Sequence, residues 1–120
     1  MTQNAYDELK KIFHEPKRMA IMSALCTAEA GLTFTELKNE CELTDGNLNR
    51  HLKVLAEAGA VQIKKEFFGV KPRTTVFLTE KGIEQFFDYL NALQEVLDRA
   101  LQAIPSEKEK FIPAAGAVKA

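Results

Sequence analysis

Leu43-Thr44-Asp45-Gly46-Asn47-Leu48-Asn49-Arg50-His51-Leu52-Lys53-Val54-Leu55-Ala56-Glu57-Ala58-Gly59 reads as a short amphipathic helix. At about 100° per residue, Leu48, Leu52 and Leu55 share one narrow apolar stripe, while Gly46, Arg50 and Lys53 point the opposite way with Asn47 and Asn49 on their flanks. Gly46 leaves the outer face unobstructed near its start. Thr44 is placed as the N-cap, so the helix opens with free N–H groups and a dipole that favour phosphate, and Gly59 suits the position that ends it. The outer face thus carries donors, acceptors and cations of the kind that read base edges and bind backbone in a duplex groove.

Upstream, Thr33-Phe34-Thr35-Glu36 has the spacing of a capping box, so another helix starts at about Phe34 with Phe34, Leu37 and Cys41 inward. Only about three residues then separate it from the helix capped by Thr44, which makes a helix, a tight turn and a second helix. Taken alone, this pattern fits a DNA reader or a plain helical hairpin. Earlier still, Tyr6, Leu9, Ile12 and Phe13 predict a helix over residues 4–13, and Pro16 suits the first turn of a second helix expected to end near Gly31.

Downstream the period changes. Val61, Ile63, Lys65 and Phe67 alternate with Gln62, Lys64 and Glu66, and residues 74–79 form a β-branched and aromatic run. Phe68-Gly69-Val70-Lys71-Pro72-Arg73 supplies the turn, giving a β-hairpin with a basic tip. Thr79 can cap a last helix, in which Ile83, Phe86, Leu90, Leu93, Leu97, Ala100 and Ile104 hold a heptad seam widened by Phe87, Val96 and Leu101. So long an apolar side outruns the surface of a small core, so part of the seam is expected to face another subunit.

The expected organisation is one domain over residues 1–104: an N-terminal helix at 4–13, a core at 16–79 and a dimerisation helix at 80–104, followed by a flexible tail at 105–120. The fold class is mainly α with a small β-hairpin (α+β). Net charge is only −1, but the total conceals an uneven distribution. Residues 61–75 carry Lys64, Lys65, Lys71 and Arg73 against Glu66, a local +3, whereas residues 80–100 sum to −3. Cys26 and Cys41 form no CxxC and no metal-ligand spacing with His14 or His51; both are expected to be small buried hydrophobes, and no metal or other cofactor is expected. The sequence leaves open whether either has a redox role. No run approaches the ~18 apolar residues of a membrane span, so a cytoplasmic protein without membrane contact is expected. No nucleophile-and-base arrangement, glycine-rich phosphate loop, GxSxG or HExxH points to an enzyme.

The stretch from Pro16 to Gly82 resembles the winged-helix DNA-binding domain of small bacterial and archaeal transcriptional regulators related to the MarR and ArsR families. The resemblance lies in Leu32-Thr33-Phe34-Thr35-Glu36-Leu37, Asn47-Leu48-Asn49-Arg50-His51-Leu52-Lys53-Val54-Leu55, Glu57-Ala58-Gly59 and Lys71-Pro72-Arg73-Thr74-Thr75-Val76-Phe77-Leu78-Thr79-Glu80-Lys81-Gly82. It implies a winged helix-turn-helix whose long C-terminal helix forms a homodimer on double-stranded DNA, with the helix at about 44–57 in the major groove and a wing at about 64–75 on backbone or minor groove. The DNA-binding candidates are then Thr44, Gly46, Asn47, Asn49, Arg50, Lys53, Lys64, Lys71 and Arg73, and the dimer candidates Leu9, Ile83, Phe86, Phe87, Leu90, Leu93, Leu97 and Leu101. Related regulators commonly bind small-molecule effectors between the two lobes, where Phe67, Phe77, Phe86 and Phe87 would line the space. The cysteine-rich motif of metal-sensing relatives and the N-terminal cysteine of redox-sensing ones are lacking here, so neither role carries over.

Some of these residues have plainer roles. His51, at the edge of the apolar stripe, is expected to pack and hydrogen-bond inside, and Asp45 compensates the helix dipole. Lys64 and Lys65 lie on opposite faces of their strand, so at most one meets DNA directly. The alternative to DNA binding is a winged-helix protein-interaction module.

Overall fold

The computed structural model describes residues 10–105. In chain order the elements are α1 (Pro16–Cys26), β1 (Leu32–Thr33), α2 (Phe34–Glu40), α3 (Asp45–Glu57), β2 (Val61–Phe68), β3 (Lys71–Leu78) and α4 (Glu80–Ala103). The three strands form an antiparallel sheet in the order β1-β3-β2. This is the α+β winged helix-turn-helix expected from the sequence.

Local chemistry sets each boundary. Pro16 opens α1 behind Glu15, whose Oε1 accepts the Arg18 N–H at 2.8 Å. The helix stops at Cys26 rather than near Gly31, because Thr27 turns back and donates from both N and Oγ1 to the Ala24 carbonyl. Gly31 instead serves the entry to β1: its φ is +82°, and a Cβ there would sit 2.7 Å from the Val76 carbonyl oxygen. The two-residue β1, which apolar periodicity does not signal, pairs Leu32 with Val76 and Thr33 with Thr75.

The capping box on α2 is complete: Thr33 Oγ1 accepts from Glu36 N at 3.1 Å and Glu36 Oε1 accepts from Thr33 N at 2.9 Å. α2 ends in a Schellman turn, with Leu43 N donating to Lys38 O and Glu42 N to Asn39 O. Glu42 takes the left-handed position, φ +54°, usually filled by glycine. Thr44 then caps α3 by accepting from Asn47 N at 3.1 Å.

The hairpin is longer and its turn tighter than expected. β2 and β3 pair from Val61↔Leu78 to Phe68↔Lys71, leaving only Gly69 and Val70 as the loop, so Lys71, Pro72 and Arg73 belong to a strand. Gly69 has φ +68°, the requirement at the first central position of a II′ turn. Of β2 only Val61 is buried, since the hairpin extends away from the core. The expected apolar face, Ile63 and Phe67, is therefore exposed.

The core joins Phe13, Ile21, Met22, Leu25, Leu37, Leu48, Leu52, Leu55, Val61, Val76, Phe86 and Tyr89. Phe13 stands edge-on to Phe86 with ring centroids 5.3 Å apart, and Tyr89 stacks on Phe86 at 5.9 Å. Phe13 belongs to the turn at residues 11–13; residues 4–9 of the expected N-terminal helix, with Leu9, lie outside the described residues, as does the tail from 106 on.

Two other expectations are corrected by packing. Phe86, assigned to the dimer seam, is 3 % exposed inside its own chain. The inward side of α4 runs through Gly82, Phe86, Tyr89 and Ala92, one step round from the predicted seam, and Leu93 is half-buried against the same core. Tyr89 serves there because its hydroxyl finds His14 Nδ1 at 2.9 Å. Cys26 is exposed on the solvent side of the last turn of α1, whereas Cys41 is buried as expected, and burial together with the nearby Glu40 charge raises the pKa of its thiol.

A close joint connects the end of α3 to the start of α4. Thr79 Oγ1 donates to Gly59 O at 2.6 Å and accepts from Gly82 N at 2.8 Å, while Thr79 N donates to Ala60 O at 3.2 Å. Gly82 is required by contact, since a Cβ there would lie 2.0 Å from the Ala60 carbonyl oxygen.

Candidate nucleic-acid interface

α3 divides as its sequence predicts. Leu48, His51, Leu52 and Leu55 are buried, and Asp45, Gly46, Asn47, Asn49, Arg50 and Lys53 are exposed, with Thr44 exposed at its cap. A Cβ on Gly46 would meet nothing within 4 Å, so that part of the surface is open. Asn47 and Arg50 are already linked one turn apart, Arg50 Nη2 donating to Asn47 Oδ1 at 3.1 Å. Asp45 forms an ion pair at 3.0 Å with Lys38 of α2, which offsets its repulsion of an approaching phosphate.

α3 is held from behind by a charged group that apolar periodicity gives no means of finding. Arg18 of α1 donates through Nε to Ile12 O at 2.7 Å, and its Nη1 lies 3.0 Å from His51 Nδ1. A guanidinium has only donors, so Nδ1 must be the accepting, unprotonated nitrogen. Burial lowers the His51 pKa and Arg50 and Arg18 lower it further, against Glu15, so the ring is held neutral. The Glu15 carboxyl is in turn lowered: its burial works the other way, but the backbone N–H bonds of Arg18 and Lys17 and the charge of Arg18 outweigh it. His51 is thus the packed, hydrogen-bonded imidazole expected.

The hairpin stands beside α3 and the two enclose a groove. Its wall on α3 is Asn49, Lys53 and Glu57; its wall on the strands is Ile63, Lys65 and Thr74; Phe34 and Leu52 lie at its base. The cation of β2 on this side is therefore Lys65. Lys64, the one chosen from sequence, faces the opposite way, with Nζ 5.4 Å from the Phe77 ring centroid. Alternation requires that the two lysines diverge, but it does not say which side meets α3. Lys71 and Arg73 share the Lys64 side of the ladder and, with Phe68, face the start of α2 across a second groove lined by Thr33, Thr35 and Glu36. The Arg73 guanidinium lies 4.0 Å from the Phe68 ring centroid.

The four phenylalanines expected around an effector do not converge. Phe86 is in the core, Phe87 points outward from α4, Phe77 lies under Lys64, and Phe67 is near the hairpin tip. Among the described residues no group of three or more His, Cys, Asp or Glu side chains is placed to hold a metal ion, and no helix is long and apolar enough to cross a membrane.

Comparison with known proteins bears on the same elements. The profile of a winged helix DNA-binding domain family matches residues 17–97. An uncharacterised protein of Methanocaldococcus jannaschii is 39 % identical over 80 residues, spanning 67 % of this chain and 86 % of its own. The structure of a transcriptional regulator homologue from Pyrococcus horikoshii superposes with a TM-score of 0.74 at 31 % identity, covering 82 % of this chain and 98 % of that one. S. aureus MepR, solved as a complex with DNA, shares the fold at 16 % identity with a TM-score of 0.65, over 83 % of this chain and 81 % of its own.

Proposed function

The chain belongs to the winged-helix DNA-binding family of transcriptional regulators, and from that membership we propose that it acts as a homodimer on a pseudo-palindromic duplex site. One α3 from each subunit enters the major groove, where Asn47, Asn49, Arg50 and Lys53 read base edges and Thr44 and Gly46 sit close to the backbone. Lys65 on the α3 side of each hairpin and Lys71 and Arg73 near its tip hold phosphates or the adjacent minor groove, while Lys64, on the same face as Lys71 and Arg73 but farther from the tip, lies over the Phe77 ring. The observation that carries this reading is the groove between α3 and the hairpin, which sets Asn49, Lys53 and Lys65 around one cleft.

Dimerisation rests on α4. Ile83, Phe87, Leu90, Leu97 and Leu101 are 40–67 % exposed and recur at spacings of three, four and seven, an apolar stripe that its own domain leaves uncovered. From residue 94 to 103 only Val96 is part-covered. Two such helices packed together bury the stripe and set two copies of α3 on one side of a duplex, about 34 Å apart or a multiple of it.

The test is salt-dependent binding. With roughly three phosphate contacts per subunit, log affinity falls against log salt with a slope of about −5. Arg73→Ala removes about two contacts per dimer, so the slope becomes shallower by roughly 2 and all sequences lose affinity alike. A pure protein that shifts no duplex, its own upstream DNA included, would refute the DNA reading and favour a protein-interaction module.

A further inference from the structure

The hairpin tip is apolar where a solvated turn would be polar. Phe67, Phe68 and Val70 are 73 %, 53 % and 91 % exposed. Two-residue hairpin turns are ordinarily built from Gly, Asn, Asp or Ser, and Gly69 meets that need. Val70 beside it does not, and it occupies the most exposed position of the ribbon. Leaving these side chains in water forgoes about 25 cal/mol for every Å² of apolar area, so an occupant that covers them is favoured.

The tip is also stiff and ringed by positive charge. Phe67 stands opposite Pro72 in the ladder, whose φ is fixed by its ring, and Phe68 is clamped under the Arg73 guanidinium. Lys65, Lys71 and Arg73 all lie within five residues of Val70, against Glu66 as the one acid, and Glu66 faces Arg73 across the ladder. A rigid apolar point inside a cationic ring complements the minor groove of a duplex: phosphates on both rims and stacked bases at the floor, in a slot about 6 Å wide and 7.5 Å deep. An apolar docking site on another protein gives no reason for the ring of cations.

We propose that the hairpin tip is a wedge that inserts Val70 and Phe67 at a base step in the minor groove while Lys71 and Arg73 hold the flanking phosphates, kinking the duplex. This rests on the DNA reading and adds a second source of sequence preference. Steps that unstack easily, TA and CA/TG, are favoured beneath each tip even though no side chain reads their edges.

The experiment uses the full chain, a selected duplex dye-labelled at both ends, and 2-aminopurine placed in turn at each step beneath the hairpins. The wild type is expected to bend the duplex by about 20–90° and to raise 2-aminopurine fluorescence at one step per half-site. The double variant Phe67→Ser, Val70→Ser changes only exposed side chains. It should keep the salt slope, lose the bend and the fluorescence rise, and bind the TA-containing site about tenfold more weakly. Salt-dependent binding without a bend, or a bend unchanged in the double variant, would overturn the wedge and leave the DNA reading standing. An unchanged bend with reduced self-association would reassign the tip to contact between copies. If no duplex binds, the DNA reading fails and the wedge fails with it.

Discussion

Arg18→Met keeps most of the side-chain volume while deleting the guanidinium that joins α1 to the back of α3. Two bonds have good length, to Ile12 O at 2.7 Å and to His51 Nδ1 at 3.0 Å; the contact from Nη2 to Lys11 O, at 3.5 Å, is too long to count. A hydrogen bond from a charged donor contributes about 1.5–3 kcal/mol, and half-burial of Arg18 argues for the low end of that range. The two together give about 3 kcal/mol, a loss that includes a His51 nitrogen stranded on a residue only 3 % exposed. For a domain of this size each kcal/mol moves the melting temperature by about 4–8 °C, so the variant should melt roughly 12–24 °C below the wild type. Urea unfolding followed by circular dichroism, with unchanged m-values, checks the free energy directly. Arg18→Lys should recover less than half, because one ammonium has to serve two acceptors set in different directions. A loss under about 1 kcal/mol in Arg18→Met would show that the bond to His51 contributes nothing net and that apolar packing alone seats α3.

The same site makes stability depend on pH. Burial lowers the His51 pKa, so the unfolded chain binds the extra proton first: stability is full above about 6.5 and is lost as pH falls from there through the lowered folded value, a slope that His51→Gln should flatten. Gly82→Ala drives a Cβ to 2.0 Å from the Ala60 carbonyl and should cost about 3 kcal/mol, read by the same unfolding experiment; a neutral result would mean that the joint between α3 and α4 yields easily. Leu97→Glu places a charge in the proposed dimer stripe without touching the core, so sedimentation should show a folded monomer, and a stable dimer would move the interface elsewhere. Asn49→Ala should alter relative preference among selected sites, whereas Lys65→Ala should weaken all of them alike; the reverse pattern would exchange their roles.

The elements that the sequence revealed are those whose signals are local. Thr33 with Glu36, Thr44 and Thr79 announce helix starts because a cap needs only neighbours within three residues, and the two faces of α3 follow from helical period alone. What was hidden depends on partners far along the chain. Tyr89 can be buried because its hydroxyl pairs with His14, 75 residues earlier, and Arg18 supports His51 from 33 residues away. Phe86 reads as part of the α4 seam for a similar reason: by sequence it is as apolar as Leu90, and only its packing on Phe13 and Tyr89 shows that it turns inward. The candidate interface was legible as a set of residue types on the exposed face of α3 and as an excess of positive charge on the hairpin. The choice of Lys65 over Lys64 needed the sheet laid against the helix.

The joint made by Thr79 has a mechanical consequence. Its hydroxyl ties Gly59, just past the end of α3, to the first turn of α4, and if that joint holds, the two helices would turn together as one bent crank. The 24 residues of α4 make an arm of about 36 Å. In a dimer joined along that arm, a swing of about 5° at the far end carries α3 through an arc of roughly 3 Å, close to the rise of one base pair. In the proposed dimer, the half-site spacing would then follow the crossing angle of two distant helices, and a substitution that changed that angle would shift the preferred spacing without touching α3.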